Sequence, residues 1–487
     1  MSVLDPTRFT KSVYINREWH ASSSGAEFAV TNPATAACIG SVADGGRADA
    51  QVAIAAASAA LSAWSARTSY ERSELLYRAH GLMLERAEEL ASLMTLEQGK
   101  PLRAARIEVK YASDFLIWFA EEAKRIYGRT IPSARSDQRF VVQHRPVGVV
   151  AAITPWNYPI SMITRKLGPA LAAGCTVVLK PAEQTPLCAA AVIEIFHDAG
   201  FPAGVVGMVT CQHPAPVGDE FLTNRAVRKI TFTGSTEVGK HLIRASADQL
   251  KRLSLELGGH APFIVFADAD PTHAAKGAAM LKMLNTGQAC ISPNRIYVHR
   301  SLHDRFVDVL SQRVGSMQIG SGFDEKVSIG PLIDETALRR MERQVEDAAA
   351  RGAEVVLGGS RATGPGLDEG YFFSPTVLTG VSSDMTIHTE ETFGPIAPVI
   401  AFDDEDEVIA AANDTFFGLA SYIYTTDLSR AYRVSEALQF GMVGINDINP
   451  TSAAAPFGGV KESGVGREGA AEGIHEYLDM KVVGISI

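Results

Sequence analysis

Three residue types in this chain fit one chemistry: a cysteine in a polar loop, an acid inside an apolar strand, and an asparagine in a turn. Cys290 stands in NTGQACISPNR, where Gly287, Gln288, Ser292 and Asn294 make a polar, loop-like neighbourhood. A thiolate in such a place attacks a carbonyl carbon. Cys175 and Cys188 lie among alanines and read instead as buried fillers. Glu256 sits in LSLELGGH, flanked by leucines and followed by a Gly-Gly turn. Such a carboxyl should have a raised pKa, which suits a base or a proton relay; a structural buried ion pair is the competing reading. Asn157, in ITPWNYP, carries an amide donor that either steadies a developing oxyanion at the mouth of a cleft or holds a turn.

Two further stretches suit a phosphate or a ribose. In FTGSTEVGK, Gly234 permits a tight turn and Ser235 is a good N-cap for a helix from Thr236, whose open amides and dipole attract phosphate oxygens. The spacing there is G-x-x-x-x-G with no GK[ST] after it, so alone it reads as a capped helix. In VVLKPAEQTP, Lys180 and Glu183 follow the carboxyl end of a strand. Lys180 can approach a ribose or a phosphate, and Glu183 can accept from ribose hydroxyls and would repel a 2′-phosphate. A solvated loop punctuated by Pro181 and Pro186 is the alternative.

The elements that must position these residues follow from periodicity. Apolar residues recurring at three and four predict helices over 48–127. Alternation around Phe140–His144 predicts a strand or hairpin that projects from the body. From residue 147, apolar strands alternate with helices through KRLSLELGG, the pattern of a parallel sheet with helices on both faces. A second α/β stretch begins at APFIVFAD and runs to GMVGIN, followed by the glycine-rich PFGGVKESGVGREG and a β-rich tail, YLDMKVVGISI. The 487 residues are too many for one compact core and imply two or three domains.

Composition narrows the function. A formal net charge of -10 and no basic stripe give no reason to expect nucleic acid. No run of about 18 apolar residues predicts a membrane span, and MSVLDPTRFTKS has no apolar signal core. Five cysteines, Cys38, Cys175, Cys188, Cys211 and Cys290, do not suggest a disulfide framework. A cytoplasmic protein is expected. No CxxC or HExxH occurs, the histidines do not cluster, and no metal is expected.

Taken in order, ITPWNYP, KPAEQTP, FTGSTEVG, LELGG, GQAC, EETFGP and PFGG resemble the aldehyde dehydrogenase superfamily across nearly the whole chain. The resemblance implies an α/β fold with a Rossmann-type parallel-sheet cofactor domain, a second α/β catalytic domain and a small β oligomerisation element. It assigns 1–127 and 148–255 to NAD binding, 256–455 to catalysis, and 128–147 with 468–487 to assembly into a homodimer or homotetramer. It implies that Cys290 forms a thiohemiacetal and then a thioester, that Asn157 and the Cys290 N–H hold the oxyanion, and that Glu256 activates water. Lys180, Glu183, Gly234 and Ser235 fall at adenosine and pyrophosphate positions. Thr154, Trp156 and Lys166 fall at other cofactor-side positions, and Glu391 and Phe393 at ribose and nicotinamide contacts. The cofactor implied is NAD, with NADP less favoured because of Glu183.

The stretch around MITRK is similar to succinate-semialdehyde dehydrogenases, in which an arginine matching Arg165 grips the substrate carboxylate. The substrate-side set is Arg165, Thr451 and Phe457. The chain departs from that pattern at Leu284, where the subfamily has a second arginine, at Ser292, where a second cysteine is frequent, and at Thr451, where serine is usual. Succinate semialdehyde or a similar semialdehyde is the expected substrate, with another aliphatic or aromatic aldehyde as the alternative. A non-catalytic binding protein on the same fold is the reading from a different class.

Overall fold

The computed structural model describes residues 6–487. The helical stretch expected over 48–127 is four helices, Arg47–Ala66, Ser69–Glu85, Ala87–Gln98 and Leu102–Glu122. Its breaks follow local chemistry. Thr68 and Glu71 form a reciprocal capping box at the second start. Gly99 ends the third helix in the left-handed conformation, and Pro101 precedes the fourth.

The first sheet is built as the alternation predicts. Along it lie Val206–Met208, Thr176–Lys180, Val149–Ile153, Val227–Thr233 and Arg252–Glu256, all parallel to one another. The chain fills one side outward from Val149–Ile153 and then crosses to the other. The switch point therefore lies between Val149–Ile153 and Val227–Thr233, where doubly wound sheets open a crevice beyond the strand ends. Sequence periodicity did not reveal the edges. Val13–Ile15 and Glu18–His20 extend one side, and Gly464–Val465 pairs antiparallel with Leu255 and Glu256 on the other.

A second sheet runs in the order Glu354–Leu357, Thr376–Thr379, Ile396–Phe402, Pro293–His299, Ala261–Val265, Ala420–Tyr424 and Met442–Ile445. All neighbours are parallel except the first pair. Its amino ends carry the residues of interest: Gly259 before Ala261, Cys290 before Pro293 and Glu391 before Ile396. The first sheet presents carboxyl ends to the same region, with Thr154, Gly234 and Glu256 at three of them.

A separate three-stranded antiparallel sheet joins Arg129–Ile131, Gln138–Pro146 and Leu478–Ser486. The tail boundary expected at residue 468 shifts accordingly. The helix Ala470–His475 packs on Leu102–Glu122 and Ser161–Ala173, so only the strand from Leu478 onward leaves the body. Likewise Glu256 closes the first sheet rather than opening the second.

Candidate active site

Asn285 and Thr286 are both left-handed, at φ 50° and 58°, and Gly287 follows at φ 75°. The two non-glycine residues cost roughly 1–3 kcal/mol each and persist because their surroundings fix them. Asn285 Nδ2 donates to Asn157 O at 2.9 Å and to Gln288 O at 3.2 Å. Thr286 Oγ1 accepts from Gly330 N, and Gln288 Oε1 from Ile333 N. Gly287 can be nothing larger, because a Cβ would lie 2.1 Å from Gly394 O.

This bend sets Cys290 against the Gly258–Gly259 turn. A Cβ on Gly259 would stand 2.1 Å from Cys290 O, so the glycine lets the Cys290 loop pass next to the end of the Glu256 strand. The Cys290 residue is half-buried. Burial pushes its thiol up to about 12, Arg165 opposes the shift, and Glu391 and Glu256 add to it.

Glu256 has the environment its sequence suggests. Burial and the charge of Glu468 push its carboxyl well above the usual range, and Oε2 has no hydrogen-bond partner. Glu468 goes the other way, because Lys166 and Arg165 more than offset its own burial. Lys166 Nζ lies 2.6 Å from Glu468 Oε1, and Arg165 Nη2 lies 2.8 Å from Oε2. The second contact lacks hydrogen-bond alignment, and Arg165 Nε also has no partner. The guanidinium stacks 4.1 Å from the Phe457 ring centre. Arg165 is thus an interior cation beside Cys290 and Glu256, not a helix-surface residue.

Asn157 Nδ2 donates to Gln288 O at 3.1 Å. A primary amide has two N–H donors, and among the described residues the second has no acceptor. Beyond Arg165, a cavity of about 390 Å³ is lined by Tyr111, Trp118, Thr451 and Ala453, among others. Tyr111 lies within the field of Arg165 and Cys290, which links the cavity to the thiol.

The residues expected on the cofactor side lie near the carboxyl ends of the first sheet and the amino ends of the second. Thr154 N donates to Lys180 O across adjacent strand ends. Lys180 Nζ pairs with Glu183 Oε2 at 3.0 Å. Ser235 caps the helix Thr236–Ser246 by accepting from Val238 N. Gly234 has no positive φ; it is required because a Cβ would meet the Phe232 ring at 2.4 Å. Glu391 Oε1 accepts from Gly259 N at 2.9 Å, and burial pushes its carboxyl up to about 7. Phe393 is held left-handed at φ 52°, with its ring 5.5 Å from Trp156 in an edge-on contact. Strain stored at Phe393 is the kind that marks a ligand clamp.

The aldehyde dehydrogenase family model matches residues 19–483. The chain belongs to the aldehyde dehydrogenase family. A glutarate-semialdehyde dehydrogenase of Pseudomonas putida is 51% identical over all of both chains. An NADP(+) succinate-semialdehyde dehydrogenase of Escherichia coli (strain K12) is also 51% identical over all of both chains. The crystal structure of a succinate-semialdehyde dehydrogenase from Burkholderia pseudomallei is 47% identical, with a TM-score of 0.97 and full coverage of both chains. A pyridine nucleotide therefore belongs to this aldehyde dehydrogenase, whereas the Escherichia coli relative's name gives no support to the NAD preference read from Glu183.

Lys166, expected on the cofactor side, is fully buried against Glu468, because an ammonium in the interior needs an anion and Glu468 is in reach. Glu468 itself was missed, as was Tyr111. Glu468 lies in the glycine-rich GVGREG, where a lone acid in a flexible-looking stretch gives no periodic signal.

Proposed function

We propose that this aldehyde dehydrogenase oxidises a short semialdehyde with an anionic end, such as succinate or glutarate semialdehyde, using NAD. The carrying observation is the guanidinium of Arg165 beside Cys290. Arg165 and Lys166 share one carboxylate, Glu468, while burial and the charge of Glu468 raise the Glu256 carboxyl well above its usual range. Arg165 Nε and Nη2 are buried donors without a hydrogen-bond partner, and an anionic substrate end fills them. The relatives named for glutarate and succinate semialdehyde support the same class. Leu284, 39% exposed, favours a second reading in which longer or more apolar aldehydes also enter.

The residues fit a bound dinucleotide: the first sheet offers a capped helix start at Ser235 and the Lys180–Glu183 pair near its strand ends, and the second sheet offers the Glu391 carboxylate. When bound, the nicotinamide supplies the acceptor for the aldehyde's hydride. Cys290 Sγ forms the bond to the carbonyl carbon as its proton leaves to solvent water. The new oxyanion is held by the free N–H of Asn157 and the N–H of Cys290. After oxidation Cys290 carries a thioester. Glu256, ionised for this step, takes a proton from water, whose oxygen displaces the sulfur and releases the acid.

The strand Leu478–Ser486 forms the edge of its sheet and exposes Met480 and Val482. An apolar edge of that length suits pairing with a second copy, a homodimer or homotetramer. Purified protein assayed with both nucleotides against about twenty aldehydes tests the reading. Turnover should be highest for the carboxylate-bearing semialdehydes; a preference for uncharged aldehydes of the same length rejects the anionic-substrate assignment.

A further inference from the structure

We infer that Lys100, together with Glu108, is a positioning residue for the oxyanion donor Asn157. The two side chains are 1% exposed, with Lys100 Nζ 2.5 Å from Glu108 Oε2. Neither lines the cavity beyond Arg165. Their bonds run instead to the two ends of one turn. Lys100 Nζ donates to Asn157 O at 2.8 Å. Glu108 Oε1 accepts from Ile160 N and Ser161 N, at 3.1 and 3.2 Å, the open amides where the helix Ser161–Ala173 begins. The turn that carries the Asn157 amide is thus clamped at its start by a cation and at its finish by an anion.

The clamp closes onto the nucleophile loop. Asn157 O also accepts from Asn285 Nδ2, and Asn285 donates to Gln288 O, the acceptor of the Asn157 amide. The backbone beside Lys100 is fixed from the catalytic sheet's side. Leu102 N donates to Gly322 O, and Gly330 approaches Gly99 O so closely that a Cβ would stand 2.4 Å away. The Gly330 segment in turn holds Thr286. Lys100 sits where the helical layer, the oxyanion turn and the nucleophile loop meet.

A buried ion pair is weak evidence for stability, since apolar residues of similar volume hold helices equally well. What an apolar pair does not supply is a donor that fixes the Asn157 peptide. Misplacing a catalytic donor by about 1 Å costs about 10²-fold, comparable to losing it.

The inference rests on the dehydrogenase reading, for which the wild-type protein with succinate semialdehyde is the control. The test is a double-mutant cycle between Lys100→Met/Glu108→Gln and Asn157→Ala. The change Glu108→Gln keeps an acceptor for Ile160 and Ser161, and with Lys100→Met beside it no unpaired charge remains. The pair variant should lose about 30-fold in kcat with KM changed less than about threefold. In the Asn157→Ala background the same change should cost less than about threefold. Equal losses in both backgrounds show a structural role and overturn the inference, as does an unchanged kcat in the pair variant. Should the pair variant not fold, Lys100→Arg keeps the charge while moving the donor, and the same comparison of backgrounds decides. A wild-type protein that turns over no aldehyde removes the dehydrogenase reading itself, and this inference with it.

Discussion

Arg165 Nη2 lies 2.8 Å from Glu468 Oε2, while its sequence neighbour Lys166 holds Oε1 of the same carboxylate at 2.6 Å. One anion therefore serves two buried cations. The contact with Arg165 is the looser of the two, since it lacks hydrogen-bond alignment. That looseness separates the roles: Lys166 anchors Glu468, and Arg165 keeps donors for another anion.

Arg165→Leu should lower kcat/KM for succinate semialdehyde about 100-fold, the loss expected for a charge-assisted pair to a carboxylate. The same variant should leave butanal within about threefold of wild type. Steady-state kinetics with both aldehydes decide it. Equal losses would mean that Arg165 serves only to neutralise Glu468.

The Cys290 thiol, pushed up to about 12 by burial, is protonated at neutral pH, and its thiolate fraction grows as pH rises. In the protein without nucleotide, carboxamidomethylation of Cys290 by iodoacetamide should accelerate about tenfold per pH unit between pH 7 and 10, with no plateau. Mass spectrometry of the 285–295 peptide reads the rate. A plateau below pH 9 would show a base already engaged with the resting thiol.

Glu256→Gln keeps the size of the side chain and removes its basicity. Thioester hydrolysis should slow about 100-fold, the lower end for a general base, while formation of the thioester is less affected. Stopped-flow absorbance should then show one equivalent of reduced nucleotide in a burst, followed by a slow steady state. A uniformly slow trace would place Glu256 in the first half of the reaction instead.

The parts legible in the sequence were those with local signals. Apolar strands such as Thr176–Lys180, buried at every position, and helices closed by Gly174 and Gly200 in the left-handed conformation marked the first sheet. Glu256, flanked by leucines, announced its raised pKa. What stayed hidden depends on distant contacts. Glu468 reaches Lys166 only because Gly464–Val465 returns to pair with the Glu256 strand. Lys100 and Glu108 look like surface charges on helical stretches until the Asn157 turn is folded over them. Arg165 and Lys166 are adjacent in sequence and were split between substrate and cofactor, whereas one carboxylate draws both to the same side.

We propose that cofactor choice turns on Glu183. Its carboxylate pairs with Lys180 at the carboxyl end of the Thr176–Lys180 strand, where an adenosine ribose lies in doubly wound sheets. A carboxylate there accepts from a free 2′-hydroxyl and repels a 2′-phosphate, and its hold on Lys180 withdraws the nearest cation from phosphate binding. Glu183→Ser removes the repulsion and releases Lys180. The ratio of kcat/KM for NAD to that for NADP should fall at least about 30-fold, mostly through a lower KM for NADP. Steady-state kinetics with each nucleotide at saturating semialdehyde measure it. A wild-type protein already preferring NADP, as the name of the Escherichia coli relative implies for that enzyme, would show that Lys180 outweighs Glu183. The serine variant would then shift the ratio little.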